Sequence, residues 1–326
     1  GQRPRGPGVH HNGGMDAEFP YLSAQAAELG VAAPPARRLT HTLPDGRVVS
    51  ALQYGDAVSG TFPPPVVTFL HGAGLNAHTW DTTVLALGLP ALAIDLPGHG
   101  DSSWRPDAAY VGPALAADIA PALAKWTDAP QGLVGQSLGG LTAASLASAH
   151  PELVRALVIV DITPGIDPNG DAAQIGAFFA GPTDWASRDE LVDRALAFGL
   201  GGTREAATRG VFQNSRVRAD GRVEWKHHFA HLANALAADP DAAASAAAQQ
   251  QAIRGALTAS GWDDLAAVTA PITLVRGERG FVTEDDAADF RARVPEASVL
   301  VVPSGHNVQE ELPAPLAALV FDIAEG

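Results

Sequence analysis

Residues 132–149 read GLVGQSLGGLTAASLASA: an apolar run, a serine with glycine two places before and two places after it, and then an alanine-rich stretch. This pattern leaves few folds open. A strand must end near Gln136 and a helix must start just after Ser137, with no room for a loop. Side chains at the −2 and +2 positions of so tight a turn would collide, and Gly135 and Gly139 remove them. A strand that feeds straight into a helix implies a parallel sheet with right-handed crossovers.

The rest of the chain keeps the rhythm. RRLTHTL (37–43) and RVVSALQYG (47–55) flank Pro-Asp-Gly and predict two strands joined by a tight turn. PPPVVTFLHG (63–72) and ALAIDLPGHG (91–100) read as buried strands, and Asn76 is placed to cap a helix reaching about Leu87. Helical patterns cover 16–30, 113–126 and 138–149, and ALVIVDITP (156–164) is a strand stopped by proline. The alternation then breaks. Residues 165–260 read as mostly helical, with Phe178, Phe179, Trp185, Phe198, Phe212, Trp225 and Phe229 scattered through them. Strand 271–277, helix 284–294, strand 297–303 and helix 313–323 complete the pattern. The expectation is a disordered extension over 1–18, an α/β core from 19–163 and 263–326, and a helical lobe over 164–262 covering one end of the sheet. The low-complexity run 235–252 is expected to be helical, with a break at Pro240.

Bulk numbers narrow the function. The chain of 326 residues is 46% hydrophobic and carries a formal charge of −15, which argues against non-specific nucleic-acid binding and adsorption to anionic lipid. It has no cysteine, so disulfides, thiolate catalysis and cysteine zinc sites are excluded. No apolar run approaches the roughly 18 residues of a membrane span. The first 14 residues lack the apolar stretch of a secretory signal and precede the lone Met15, so they read as an extension or a mis-assigned start. A cytoplasmic location is the expectation.

Ser137 sits where a hydroxyl would stand at the head of a helix, beside free N–H groups that favour developing negative charge. A serine hydroxyl needs a base, and the base an orienting acid. His306, between the last strand and the last helix, is the candidate base. His99 and His71 read as structural. His227 and His231 share a helix face by spacing, without a third ligand for a metal, and read as a solvated polar face. The acid is open between two places. Asp161 ends the sixth strand; Glu284, Asp285 and Asp286 follow the seventh but resemble the acidic first turn of a helix. In RGERGFVTEDD, Gly280 stands where a G-x-x-D pattern would carry its acid. Asp161 is the favoured choice. An oxyanion hole would draw on the N–H groups of Leu138 and of Ala73 in HGAG (71–74). Trp80 reads as packing beneath that loop.

HGAGLNAHTW, DLPGHGDSSW, GQSLGG, VDITP, PITLVRG, RGVFQNSR and SGHNVQEE together resemble the α/β-hydrolase superfamily, and within it an actinobacterial, mycobacterial-type group of serine esterases. The resemblance runs from about residue 19 to the C-terminus. It implies a mostly parallel eight-stranded sheet flanked by helices, a helical cap after the sixth strand, a Ser–Asp–His triad and cofactor-free hydrolysis of small-molecule esters. VDITP is also similar to the place where haloalkane dehalogenases carry their acid, which favours Asp161. Dehalogenases and epoxide hydrolases need aspartate at the elbow, so Ser137 counts against both. A C–C bond hydrolase, a thioesterase, a lactonase or a non-catalytic receptor remains an alternative on this scaffold.

Overall fold

The computed structural model describes residues 18–166, 178, 181–237, 241 and 260–326. The expected extension up to residue 17, and residues 238–240 and 242–252 of the alanine-rich run, with the expected break at Pro240, lie outside the described residues. The strands are β1 (Ala36–Thr42), β2 (Val48–Tyr54), β3 (Val67–Leu70), β4 (Ala91–Asp95), β5 (Gln131–Gln136), β6 (Val154–Val160), β7 (Ser215–Val217), β8 (Val223–Trp225), β9 (Ile272–Gly277) and β10 (Ser298–Val302). The helices are α1 (Leu22–Leu29), α2 (Asp81–Leu87), α3 (Gly112–Trp126), α4 (Leu138–Ala149), α5 (Arg188–Ala197), α6 (Arg204–Asn214), α7 (His228–Ala237), α8 (260–267), α9 (Glu284–Arg293), α10 (Val308–Glu311) and α11 (Pro313–Glu325).

Eight strands form one sheet in the order β1-β2-β4-β3-β5-β6-β9-β10. β2 is antiparallel to both its neighbours, and the remaining pairs are parallel. This is the mostly parallel eight-stranded sheet expected from the resemblance. The period-2 alternation of side chains divides the core into two layers. Leu70, Leu133, Leu157, Ile159 and Leu274 face one side, where Leu115, Ile119 and Leu123 of α3 and Ala143 and Leu146 of α4 cover them. Phe69, Val134, Val158, Val160 and Val275 face the other, under Trp80, Val84 of α2 and Leu316 and Val320 of α11. Trp80 is fully buried against Phe69, with ring centroids 4.8 Å apart.

The segment between β6 and β9 has a hydrophobic core of its own, which includes Phe178, Trp185, Leu191, Val211, Val223 and Trp225. It differs from the mostly helical expectation in one respect. β7 and β8 form an antiparallel hairpin, with Val217 opposite Val223. A hairpin of three-residue strands is too short to show a periodic signal. The expected solvated face for His227 is also corrected. His227 is fully buried, because its ring lies between Trp225 at 5.7 Å and His99 at 6.4 Å. Burial drives its pKa down to about 3, so it is neutral. His231 stays partly exposed and lies 4.8 Å from the Trp104 ring.

A buried polar network ties the start of the described chain to the sheet. Glu18, the last residue of the expected extension, bonds Arg38 at 2.5 Å and His78 at 2.8 Å. Arg38 also donates to Asp95 at 2.8 Å, and Asp95 accepts from the Ala77 N–H. Burial alone pushes the His78 imidazole down, but the carboxylates of Asp81 and Glu18, each 2.8 Å from one ring nitrogen, outweigh it and raise the pKa to about 9. A raised folded value contributes stability in full below the ordinary 6.5 and loses it as pH rises through about 9. The thermal midpoint is therefore expected to decline across that interval, by an amount on the order of a few kcal/mol in stability. His78→Asn is expected to unfold earlier at pH 6 and to lose that part of the decline. Parallel pH profiles for the two proteins in a thermal scan would refute this.

Candidate active site

The turn between β5 and α4 is as tight as its glycines require. Ser137 has φ 54° and ψ −122°, a backbone region that only a fixed surround holds a serine in. A Cβ on Gly135 would stand 2.2 Å from the Gly139 carbonyl oxygen, and one on Gly139 would stand 2.2 Å from that of Leu70. The residues two places either side of Ser137 thus touch each other and the end of β3. Ser137 donates its N–H to Val160 O at 3.0 Å, so β6 holds the elbow from the other side. Ser137 remains partly exposed at the head of α4.

Asp161 follows β6 directly and is fully buried, with φ 52°. Its carboxylate accepts three hydrogen bonds: from Gly277 N–H at 3.0 Å, Phe281 N–H at 2.7 Å and His306 Nδ1 at 2.7 Å. Nδ1 carries the proton because its partner is an acceptor that two amides already address, which leaves Nε2 of a neutral ring with its lone pair. Gly280 has a spatial reason to be glycine. A Cβ there would stand 2.2 Å from Asp161 Oδ2. The carboxylate that ends β6 thus fills the space beside the position where the G-x-x-D pattern would carry its acid. Among the 284–286 cluster, Asp286 instead closes a capping box with Thr283 at the start of α9, and Glu284 and Asp285 are exposed.

The His306 loop is fixed from three directions. Phe281 stacks on the imidazole, with centroids 3.5 Å apart and planes at 14°. Gln136, the residue before Ser137, donates Nε2 to His306 O at 3.2 Å and to Asn307 Oδ1 at 3.1 Å. Glu311 accepts from Gly305 N–H at 2.8 Å and Ser304 Oγ at 3.0 Å. None of Phe281, Gln136 or Glu311 was singled out by sequence, since each acts through contact across the sheet rather than through a motif. The position of Gly280 was the one signal available.

The loop after β3 lies beside the elbow. A Cβ on Gly72 would stand 3.2 Å from Ser137 Cβ and 2.5 Å from Gln136 Oε1. Ala73 is exposed, and among the described residues neither its N–H nor that of Leu138 has a hydrogen-bond acceptor. Two buried histidines brace this loop. His71 Nε2 accepts from Leu96 N–H at 2.9 Å, and its Nδ1 donates to Gly72 O at 2.8 Å. His99 Nε2 accepts from Gly74 N–H at 3.0 Å, and its Nδ1 faces Pro97 O at 3.1 Å. Burial lowers the pKa of both, so each acts as a neutral acceptor. Among the described residues no group of three or more His, Cys, Asp or Glu side chains is arranged to hold a metal ion.

Comparison with known proteins fits this geometry. A family profile described as alpha/beta hydrolase fold matches residues 65–313. The chain is 37% identical to the esterase Rv0045c of Mycobacterium tuberculosis, over 96% of this chain and 97% of that protein. It is 28% identical to the sn-1-specific diacylglycerol lipase ABHD11 of Mus musculus, over 76% of this chain and 77% of that one. A solved structure of the M. tuberculosis esterase superposes with a TM-score of 0.76 at 34% identity, covering 95% of this chain and 99% of that chain. The chain belongs to the α/β-hydrolase family and is a hydrolase.

Proposed function

We propose that this protein is a serine carboxylesterase acting on small to medium acyl esters through Ser137, His306 and Asp161, with the segment over 164–262 as a cap. The observation that carries the reading is the 2.7 Å bond from His306 Nδ1 to a buried Asp161, in a loop held by Gln136, the residue beside the strained Ser137. Likeness to the M. tuberculosis esterase over nearly the whole chain supports the substrate class.

In this mechanism His306 Nε2 takes the Ser137 proton as the hydroxyl attacks the ester carbonyl carbon. The carbonyl oxygen becomes an oxyanion held by the N–H groups of Ala73 and Leu138. Asp161 keeps the imidazole in the Nδ1–H tautomer and stabilises the imidazolium that forms. His306 then protonates the departing alkoxide. Water, deprotonated by His306, attacks the acyl-enzyme, and collapse of the second tetrahedral intermediate returns the proton to Ser137 and frees the acid. The steps require only side chains, backbone amides and water. Several aromatic residues of the inserted segment, among them Phe178, Trp185 and Trp225, are spent on its own core, which leaves fewer to line an acyl pocket.

Hydrolysis of p-nitrophenyl esters of increasing acyl length tests the reading. Ser137→Ala is expected to lower kcat by about 10⁴-fold or more with the fold intact. Activity close to wild type in that variant would end the serine mechanism. Asp161→Asn should lower kcat by about 10³- to 10⁴-fold, while Asp285→Asn stays within about twofold; the opposite ranking would move the acid to the segment after β9.

Gly280→Ala is a separate check on the space the carboxylate occupies. The added methyl displaces Asp161, so kcat should drop by at least about tenfold while KM changes little. A wild-type kcat in this variant would mean that the site tolerates a shifted acid.

A further inference from the structure

The loop that carries Ala73 is held both by the core and by the inserted segment, and the two meet at one residue. Gly74, with φ 76°, gives its N–H to His99 and its carbonyl to Asn214 Nδ2, the latter at 2.7 Å. Asn214 is the last residue of α6 and is 8% exposed. Its own carbonyl accepts from Lys226 N–H at 2.9 Å, so the hairpin fixes the backbone from which the side chain reaches. The next residue of this segment to meet the loop is Gln213, whose carbonyl accepts from Asn76 Nδ2 at 3.3 Å, two residues further along and beyond the Gly74 turn.

The orientation of the amide follows from its partner. Gly74 O can only accept, so the side-chain nitrogen must face it. That leaves Asn214 Oδ1 buried with no hydrogen-bond partner. An acceptor left unpaired in a buried site costs free energy that an apolar side chain of the same shape would not. Space filling therefore does not account for an asparagine here. The donor toward Gly74 does.

We propose that Asn214 is a positioning residue for the oxyanion hole: by fixing Gly74 O it sets the plane of the Gly74–Leu75 peptide, and with the His99 bond to the Gly74 N–H it pins the loop just beyond Ala73, whose own N–H lies in the Gly72–Ala73 peptide that His71 holds through Gly72 O. The inference rests on the serine-hydrolase reading above. It makes the inserted segment part of the transition-state machinery as well as a cover. A donor aimed at the oxyanion matters chiefly once the carbonyl oxygen gains charge, so its misalignment is read in kcat and barely in KM.

The test uses Asn214→Leu and Asn214→Asp. The first removes the donor; the second is close in shape and sets a carboxylate against the Gly74 carbonyl. Steady-state ester hydrolysis is measured together with inhibition by phenylboronic acid, whose tetrahedral serine adduct occupies the oxyanion hole. Tyr110→Phe serves as the control, because it breaks a different bond between core and insertion, Tyr110 Oη to His228 Nδ1 at 2.6 Å, which involves neither Asn214 nor its anchor Lys226. Both Asn214 variants are expected to lose about 10- to 100-fold in kcat, with KM within about threefold and boronate affinity reduced in step with kcat/KM. Tyr110→Phe should keep its boronate affinity. If Asn214→Leu does not fold, Asn214→Asp alone decides. A rise in KM at constant kcat, unchanged boronate affinity, or an equal loss in Tyr110→Phe would overturn the proposal. Ser137→Ala, run alongside, separates the two failures. If it is inactive while the Asn214 variants match wild type, only the positioning role is lost. If it remains active, the serine reading itself goes.

Discussion

The site depends on a single buried charge. Asp161 is removed from solvent, and a carboxylate in that position is tolerable only when its lone pairs are met by donors of fixed geometry. Two of those donors are backbone amides from the segment that follows β9, and the third is His306, from the loop after β10. The two segments are laced together independently, since Glu278 N–H reaches Val302 O and Arg279 N–H reaches Ser304 O. Three strand ends therefore converge on one carboxylate. Ser137 joins the same arrangement through β6, whose last residue, Val160, accepts the Ser137 N–H just before Asp161 begins. A shift in any one of these strands would displace both Asp161 and Ser137.

Glycine is what permits the convergence. Gly277 approaches the Gly305 carbonyl so closely that a Cβ would stand 2.3 Å away, and Gly280 makes room for the carboxylate itself. The Asp161 carboxylate at the end of β6 thus fits beside a segment after β9 that contributes only amides to it. A space at Gly280 stands where a side chain would collide with Asp161, and the cost is two positions that accept no substituent.

How far the sequence could be read follows from the range of each constraint. The elbow was legible because Gly135, Ser137 and Gly139 solve a steric problem within five residues. The buried strands were legible because each carries its own apolar run. Asp161 was only half legible: a strand-end acid is visible, but its pairing with His306 depends on a register between β6, β9 and β10 that no local pattern encodes. Phe281 and Gln136 act across the sheet and left no mark in the sequence. The β7–β8 hairpin was missed because its strands are too short to establish a period, and the burial of His227 was missed because it depends on Trp225 and His99, which meet it from two different parts of the chain.

The histidines show how neighbours, not residue type, assign roles. His78 has a carboxylate on each ring nitrogen and is held as a cation at neutral pH. His71 and His99 each accept a backbone N–H, and a nitrogen that accepts cannot also carry a proton. Their neutrality is therefore a condition of the bonds they make to the loop after β3. His306 has one nitrogen committed to Asp161 as a donor, which fixes the tautomer and leaves the other nitrogen as the basic one. The placement of acceptors thus separates a structural cation, two neutral braces and a candidate base among side chains of one kind. It also keeps the braces uncharged, so the loop bearing Ala73 is held without a charged imidazole on either brace.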